Sequence, residues 1–145
     1  SIPVIDNIQR DVVGLIGDEV NGSIHIDESG FPKQGKNSVG VKRQYCGRLG
    51  KVDNAKLVFS LIDAALYLPE DWAEDMKRRA ACGVPEDVVF KTKAELGLEM
   101  ILRARENNVP FGWVGMDSFC GRQSWLRDRI DSEGMIYIAD IPSGA

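Results

Sequence analysis

Two acidic positions in this chain could do chemistry together. Asp27 closes an apolar-alternating run, Ser23 to Asp27, and Asp117 closes a fully apolar one, Phe111 to Met116. Carboxylates at the ends of neighbouring strands can share a hard cation such as Mg²⁺ or Mn²⁺, which prefers oxygen ligands and keeps several waters. A positive stretch follows the first acid. From Gly30 to Val52 there are six Lys or Arg (Lys33, Lys36, Lys42, Arg43, Arg48, Lys51) and no Asp or Glu. A metal-holding acid beside cations that can hold a backbone suits reaction at a phosphodiester. Each part alone is weak. Asp117 could instead cap the helix that follows it, and Glu28 could be the ligand in place of Asp27, since strand alternation lets only one of the pair face a site.

The elements that must position these acids follow from periodicity. Residues 1–21 read as a lead-in and one helix, with Ile8, Val12, Val13, Leu15 and Ile16 on roughly one face and Asn21-Gly22 as the stop. Ser23 to Asp27 is a strand, with His25 opposite Ile24 and Ile26 and packed or solvated rather than a ligand. Asn37 to Tyr45 and Lys56 to Ile62 are two further strand candidates, and short connections join all three as an antiparallel meander. Leu68-Pro69-Glu70 opens a segment rich in charge that runs to Phe90; Trp72, Met76 and Ala80 could line a helix face there.

The second half reads more clearly. Thr92 and Glu95 form a capping box that starts a helix running through Leu98, Ile101, Leu102 and Arg105, and Asn107-Asn108 with Pro110 ends it. Phe111 to Met116 is a strand buried on both faces. Residues 121–133 form a helix with Trp125, Leu126 and Ile130 inward and Gly134 as its stop. Met135 to Ile141 is the last strand. The order is three strands, helix, strand, helix, strand: α/β, with a mixed sheet made of a meander plus parallel strands reached by crossover helices.

Composition bounds the rest. A chain of 145 residues with 43% hydrophobic and 28% charged residues fits one soluble domain over 1–145 with a real core. The net charge of −4 excludes a generally basic nucleic-acid binder, so any such contact must be local. Three widely spaced cysteines and one histidine offer no zinc spacing, and they point to free thiols in a reducing cytoplasm. No apolar run spans a membrane, and Asp6, Arg10 and Asp11 interrupt any signal peptide.

The motifs themselves are familiar. DESGFPKQGKNSVGVKRQYCGRLGKVDN resembles the first acidic block of DDE transposases from bacterial insertion sequences. LYLPEDW, GVPEDVVFKTKAELGLEMI and VPFGWVGMDSFCG are similar to that family's later blocks, in order and across nearly the whole chain. The resemblance implies a ribonuclease-H-like core and three acidic residues that bind Mg²⁺ or Mn²⁺. It also implies DNA cut and rejoined at transposon ends, usually by a dimer. Carried over residue by residue, Asp27 matches the first catalytic aspartate and Asp117 the second. Lys33, Lys36, Lys42 and Arg43 become the candidate DNA-backbone contacts, with solvated surface charge as their alternative.

Three departures stand out. Cys120 occupies the position where the family usually has tyrosine. The family's third acid, a glutamate, follows a strand like MIYIADI at a distance that this chain does not reach, and Glu133 and Asp140 are wrongly placed to replace it. The run from Val58 to Leu61 is shorter than in relatives. The expectation is therefore the N-terminal part of a transposase catalytic core, truncated before the last helix, with two of three acidic ligands and inactive alone. The alternative is a non-enzymatic transposase remnant that folds and binds DNA or self-associates. A phosphatase-like α/β module would need a nucleophilic or third acidic group near Asp27, and nothing besides Glu28 presents itself.

Overall fold

The computed structural model describes residues 3–27 and 62–143, which fall into two compact units. One comprises residues 3–27, 62–65 and 94–143, and the other residues 66–93.

The first unit holds the sheet. Strands β1 (Ser23–Ile26), β2 (Trp113–Met116) and β3 (Ile136–Ala139) lie in that order, and both pairings are parallel. Parallel neighbours cannot be joined by a tight hairpin and need a long crossover. Helix α4 (Lys93–Glu106) precedes β2, while α5 (Ser118–Gly121) and α6 (Ser124–Ser132) connect β2 to β3. The expected mixed sheet with an antiparallel meander is therefore corrected: the described sheet has three strands, all parallel. The physical reason is that β1 takes as its neighbour a strand reached through α4, not one reached by a short turn. Of the other two meander segments, Asn37 to Tyr45 and all of Lys56 to Ile62 except Ile62 lie outside the described residues.

One face of the sheet builds the core. Ile24 and Ile26, Val114 and Met116, and Tyr137 and Ala139 pack with Ala94 and Ile101 of α4, Cys120 of α5, and Leu126 and Ile130 of α6. Gly97 lets α4 lie close on β1, since a Cβ there would come within 2.9 Å of Ile26 Cγ2. Central β2 is buried at Val114, Gly115 and Met116, as its uninterrupted apolar run predicts, whereas β1 and β3 alternate half-buried and exposed.

The helix ends are set by local backbone chemistry. Beyond α4, Asn108 takes φ 56° and Val109 N–H donates to Ala104 O (2.9 Å), so the predicted Asn107-Asn108 stop holds. Beyond α6, Gly134 takes φ 71°, Gly134 N–H donates to Asp131 O (2.8 Å) and Met135 N–H to Ile130 O (3.2 Å). These last two bonds form a Schellman motif, which satisfies carbonyls that a helix otherwise leaves unpaired. The expected 121–133 helix is broken at Arg122-Gln123 into α5 and α6. Trp125, expected inward, is 41% exposed, because only Leu126 and Ile130 of α6 reach the core.

Helix α1 (Pro3–Ile16) ends five residues before the predicted Asn21 stop. The Asp18 carboxylate makes the turn that follows, accepting the Val20 and Asn21 N–H groups at 2.9 Å each and the Asn21 side-chain amide at 3.1 Å. The Asn21 backbone bond, then that of Val20, holds the Asp18 carboxyl below its ordinary range. Leu15 is exposed rather than packed, and among the described side chains of α1 the deeply buried one is Gln9, whose Oε1 accepts from Asn107 Nδ2 at 2.6 Å. In the same unit, Arg103 of α4 donates to both oxygens of buried Asp63 (3.0 and 2.8 Å).

The second unit contains α2 (Glu70–Glu74) and α3 (Met76–Ala81), separated at Asp75, whose carboxylate accepts from Arg78 N–H at 2.9 Å. Trp72 is fully buried with Leu68 and Ala73, and Cys82, Val84 and Val88 pack against them. Met76 and Ala80, expected on the same face as Trp72, are exposed, because the break at Asp75 rotates α3 away from that register. Buried Arg79 donates to Ala73 O (2.9 Å), Pro85 O (2.7 Å) and Val88 O (2.6 Å), tying the 85–88 turn to α2.

Candidate metal centre

Ile26 is the register partner of Met116, and Met116 of Ala139. The next residue on each strand is Asp27, Asp117 and Asp140. Strands in a sheet lie about 4.8 Å apart, so the three aspartates follow one another along a single carboxyl edge at neighbouring spacings. That edge is where open parallel α/β sheets take their ligands. A short signal lies behind the arrangement: each strand is four residues long and is followed immediately by Asp.

The three positions differ in detail. Asp27 is exposed and follows the strand directly. Asp117 is half-buried and sits at the N-cap of α5 (φ −71°, ψ 177°), where its Oδ1 accepts the Cys120 N–H at 3.0 Å. The capping role anticipated for Asp117 is thus real, and its second oxygen is engaged by no described residue. Asp140 is fixed through its backbone, its N–H donating to Met116 O at 3.1 Å. Spacing along the chain sets Asp140 aside, yet the sheet register brings it to the same edge as Asp27 and Asp117.

His25 lies on the strand face opposite Ile24 and Ile26, as expected. Its Nε2 is 2.9 Å from Ser23 Oγ, and its ring meets Trp113 edge-on at 5.4 Å. The imidazole covers Gly115 of β2 so closely that a Cβ there would collide with its Nδ1 and Cε1. The other side of the edge is made by α5, which packs on β2, β3 and α6.

Of the remaining candidates, Glu28, Lys33, Lys36, Lys42 and Arg43 lie outside the described residues. Among the described residues, no group of three or more His, Cys, Asp or Glu could hold a metal ion, so these residues offer at most a two-carboxylate site. Cys120 is buried in the core and Cys82 half-buried in the second unit. No helix among the described residues is long and apolar enough to cross a membrane.

A model of the family described as DDE superfamily endonuclease matches residues 3–145 of the chain. The curated proteins and the solved structures give no match.

Proposed function

The chain belongs to the DDE superfamily endonucleases, and we propose that it acts in DNA transposition, with Asp27 and Asp117 holding a Mg²⁺ or Mn²⁺ ion at a DNA phosphodiester. The supporting observation is the register: the two acids follow partnered residues at the ends of adjacent parallel strands. The donor set fits the ion. Both groups offer oxygen, Asp27 is open to solvent, and Asp117 keeps one oxygen free of its helix-capping bond. Magnesium commonly takes only one or two carboxylates and completes its shell with water and substrate phosphate.

When bound, the ion would lower the pKa of an attacking water or hydroxyl and neutralise charge developing on the phosphate. The chain's own residues orient this chemistry. The Cys120 N–H holds the Asp117 carboxylate in place, and Met116 O fixes the course of the backbone at Asp140. Lys33, Lys36, Lys42 and Arg43 are proposed to hold the DNA backbone, with DNA as the partner and a second copy of the chain acting on the paired end. Two carboxylates suffice to bind one ion, whereas a two-metal strand transfer needs further ligands. We therefore expect metal and DNA binding from this chain, without strand transfer.

The test is Mn²⁺ titration followed by electron paramagnetic resonance. Wild type should bind one ion, and Asp27→Asn and Asp117→Asn should each weaken binding at least tenfold. Unchanged binding in both variants refutes the site. Robust metal-dependent strand transfer by the 145-residue chain, lost in Asp27→Asn, refutes its inactivity.

A further inference from the structure

We propose that the α5–α6 junction is a second contact for the DNA strand, with Arg122 holding a backbone phosphate and Trp125 stacking on an unpaired base. This rests on the DNA-cleaving reading above and adds to it a binding surface on the side of the edge made by α5.

Arg122 is the C-cap of α5, five residues after Asp117. It is exposed, and its guanidinium carbon lies 5.2 Å from the centre of the Phe119 ring. Arg103, Arg105 and Arg129 each pair with a carboxylate, whereas among the described residues Arg122 has no such partner. A guanidinium resting on a ring has already lost part of its rotamer freedom, yet its fork of N–H donors remains suited to phosphate.

Trp125 lies three residues further on, in the first turn of α6, and is 41% exposed. Trp72, by contrast, is fully buried and Trp113 half-buried. An exposed indole three residues from an arginine with no described carboxylate partner matches how single strands are held: a cation follows the backbone and an aromatic ring stacks on a base of any sequence. With a net charge of −4 on the whole chain, such a contact has to be local.

The junction is also firmly attached to the acidic edge. The Asp117 carboxylate caps α5, Arg127 Nη1 donates to Gly121 O, and a Cβ at Gly121 would collide with Asp140 O. A strand seated on Arg122 would therefore be held at a fixed distance from Asp117.

The experiment measures fluorescence anisotropy of a labelled single-stranded oligonucleotide of about twelve nucleotides, with the full chain, no metal, and a series of salt concentrations. Arg122→Ala should weaken binding about fivefold or more. It should also reduce the slope of log affinity against log salt by about 0.7, the value for one phosphate on a single strand. Arg122→Lys should restore the slope. Trp125→Ala should weaken binding about tenfold with little change in slope, and Trp125→Phe should recover most of that loss.

Unchanged slope and affinity in Arg122→Ala, with wild type binding normally, overturn this inference and leave the metal centre untouched. A wild-type chain that does not bind the oligonucleotide overturns it as well, whatever the Mn²⁺ titration gives. Loss of binding in Trp125→Phe as complete as in Trp125→Ala overturns the stacking role.

Discussion

Asp63 and Arg103, forty positions apart, form a two-point ion pair in which one Arg103 nitrogen reaches both carboxylate oxygens at 3.0 and 2.8 Å. Asp63 also accepts its neighbour's amide, Ala64 N–H, at 2.7 Å. The pair fastens the 62–65 segment to α4, whose opposite side carries the core residues Ala94 and Ile101. The Asp63 side chain is only 4% exposed, so removing its partner strands a charge that water cannot reach.

Arg103→Ala should therefore cost more stability than a surface pair would. A fully buried pair broken on one side costs about 3–5 kcal/mol. Arg103 is 27% exposed, which lowers the expectation to roughly 2 kcal/mol. Urea denaturation measures it, and a change within about 0.5 kcal/mol, ordinary for surface sites, contradicts the pairing.

Asp117 caps α5 and is the proposed second metal ligand, and two substitutions should divide the cap from the proposed role. Asp117→Asn keeps an oxygen that can accept the Cys120 N–H, so stability should hold while Mn²⁺ affinity falls. Asp117→Ala should lose the metal and also about 1 kcal/mol of stability from the missing cap. Equal stability losses in the two variants, by thermal melting, count against the division.

Gly115 and His25 are a packing pair across β1 and β2. Gly115→Ala drives a methyl against the imidazole and should destabilise by about 1–3 kcal/mol. Adding His25→Ala makes room and should recover much of that loss. A double-mutant cycle reads the coupling directly, and additivity of the two changes would show that the ring does not fill that space.

Asp18 gives a prediction for pH. Its folded-state pKa lies below the ordinary carboxylate value because the ionised form accepts the Asn21 and Val20 amides. A depressed folded pKa contributes stability that is complete above the unfolded value, about 3.9, and is lost as pH falls through the lower folded value. An NMR titration should place the Asp18 midpoint below other exposed aspartates, with the Val20 and Asn21 amide shifts following the same curve. A midpoint at the ordinary value removes the turn's charge-assisted bonds.

Much of the helical part was legible because its signals are local. Asn107-Asn108 and Gly134 end helices through one residue's left-handed conformation, and the apolar run at β2 reports burial on both faces. Strand pairing is not local. Nothing in residues 23–27 states whether their neighbour is the next strand in sequence or one ninety residues on, and the meander expectation failed on that point. The break at Asp75 was missed because the four-residue spacing of Trp72, Met76 and Ala80 does not reveal a carboxylate that caps a new helix, and the break at Arg122-Gln123 lies at the very start of the expected helix. That Asp140 follows its strand at the same edge was not legible, because its place depends on register, which becomes visible only when three strands align.

The parallel pairing of β1 with β2 has a consequence for the order of assembly. Asp27 and Asp117 are separated by 90 positions, so β1 leaves the ribosome long before its partner exists. At about 5–20 residues per second, that wait is roughly five to twenty seconds. Over that interval Ile24 and Ile26 must stay out of competing pairings, and the pause between them and β2 sets the earliest moment at which the two acids can meet.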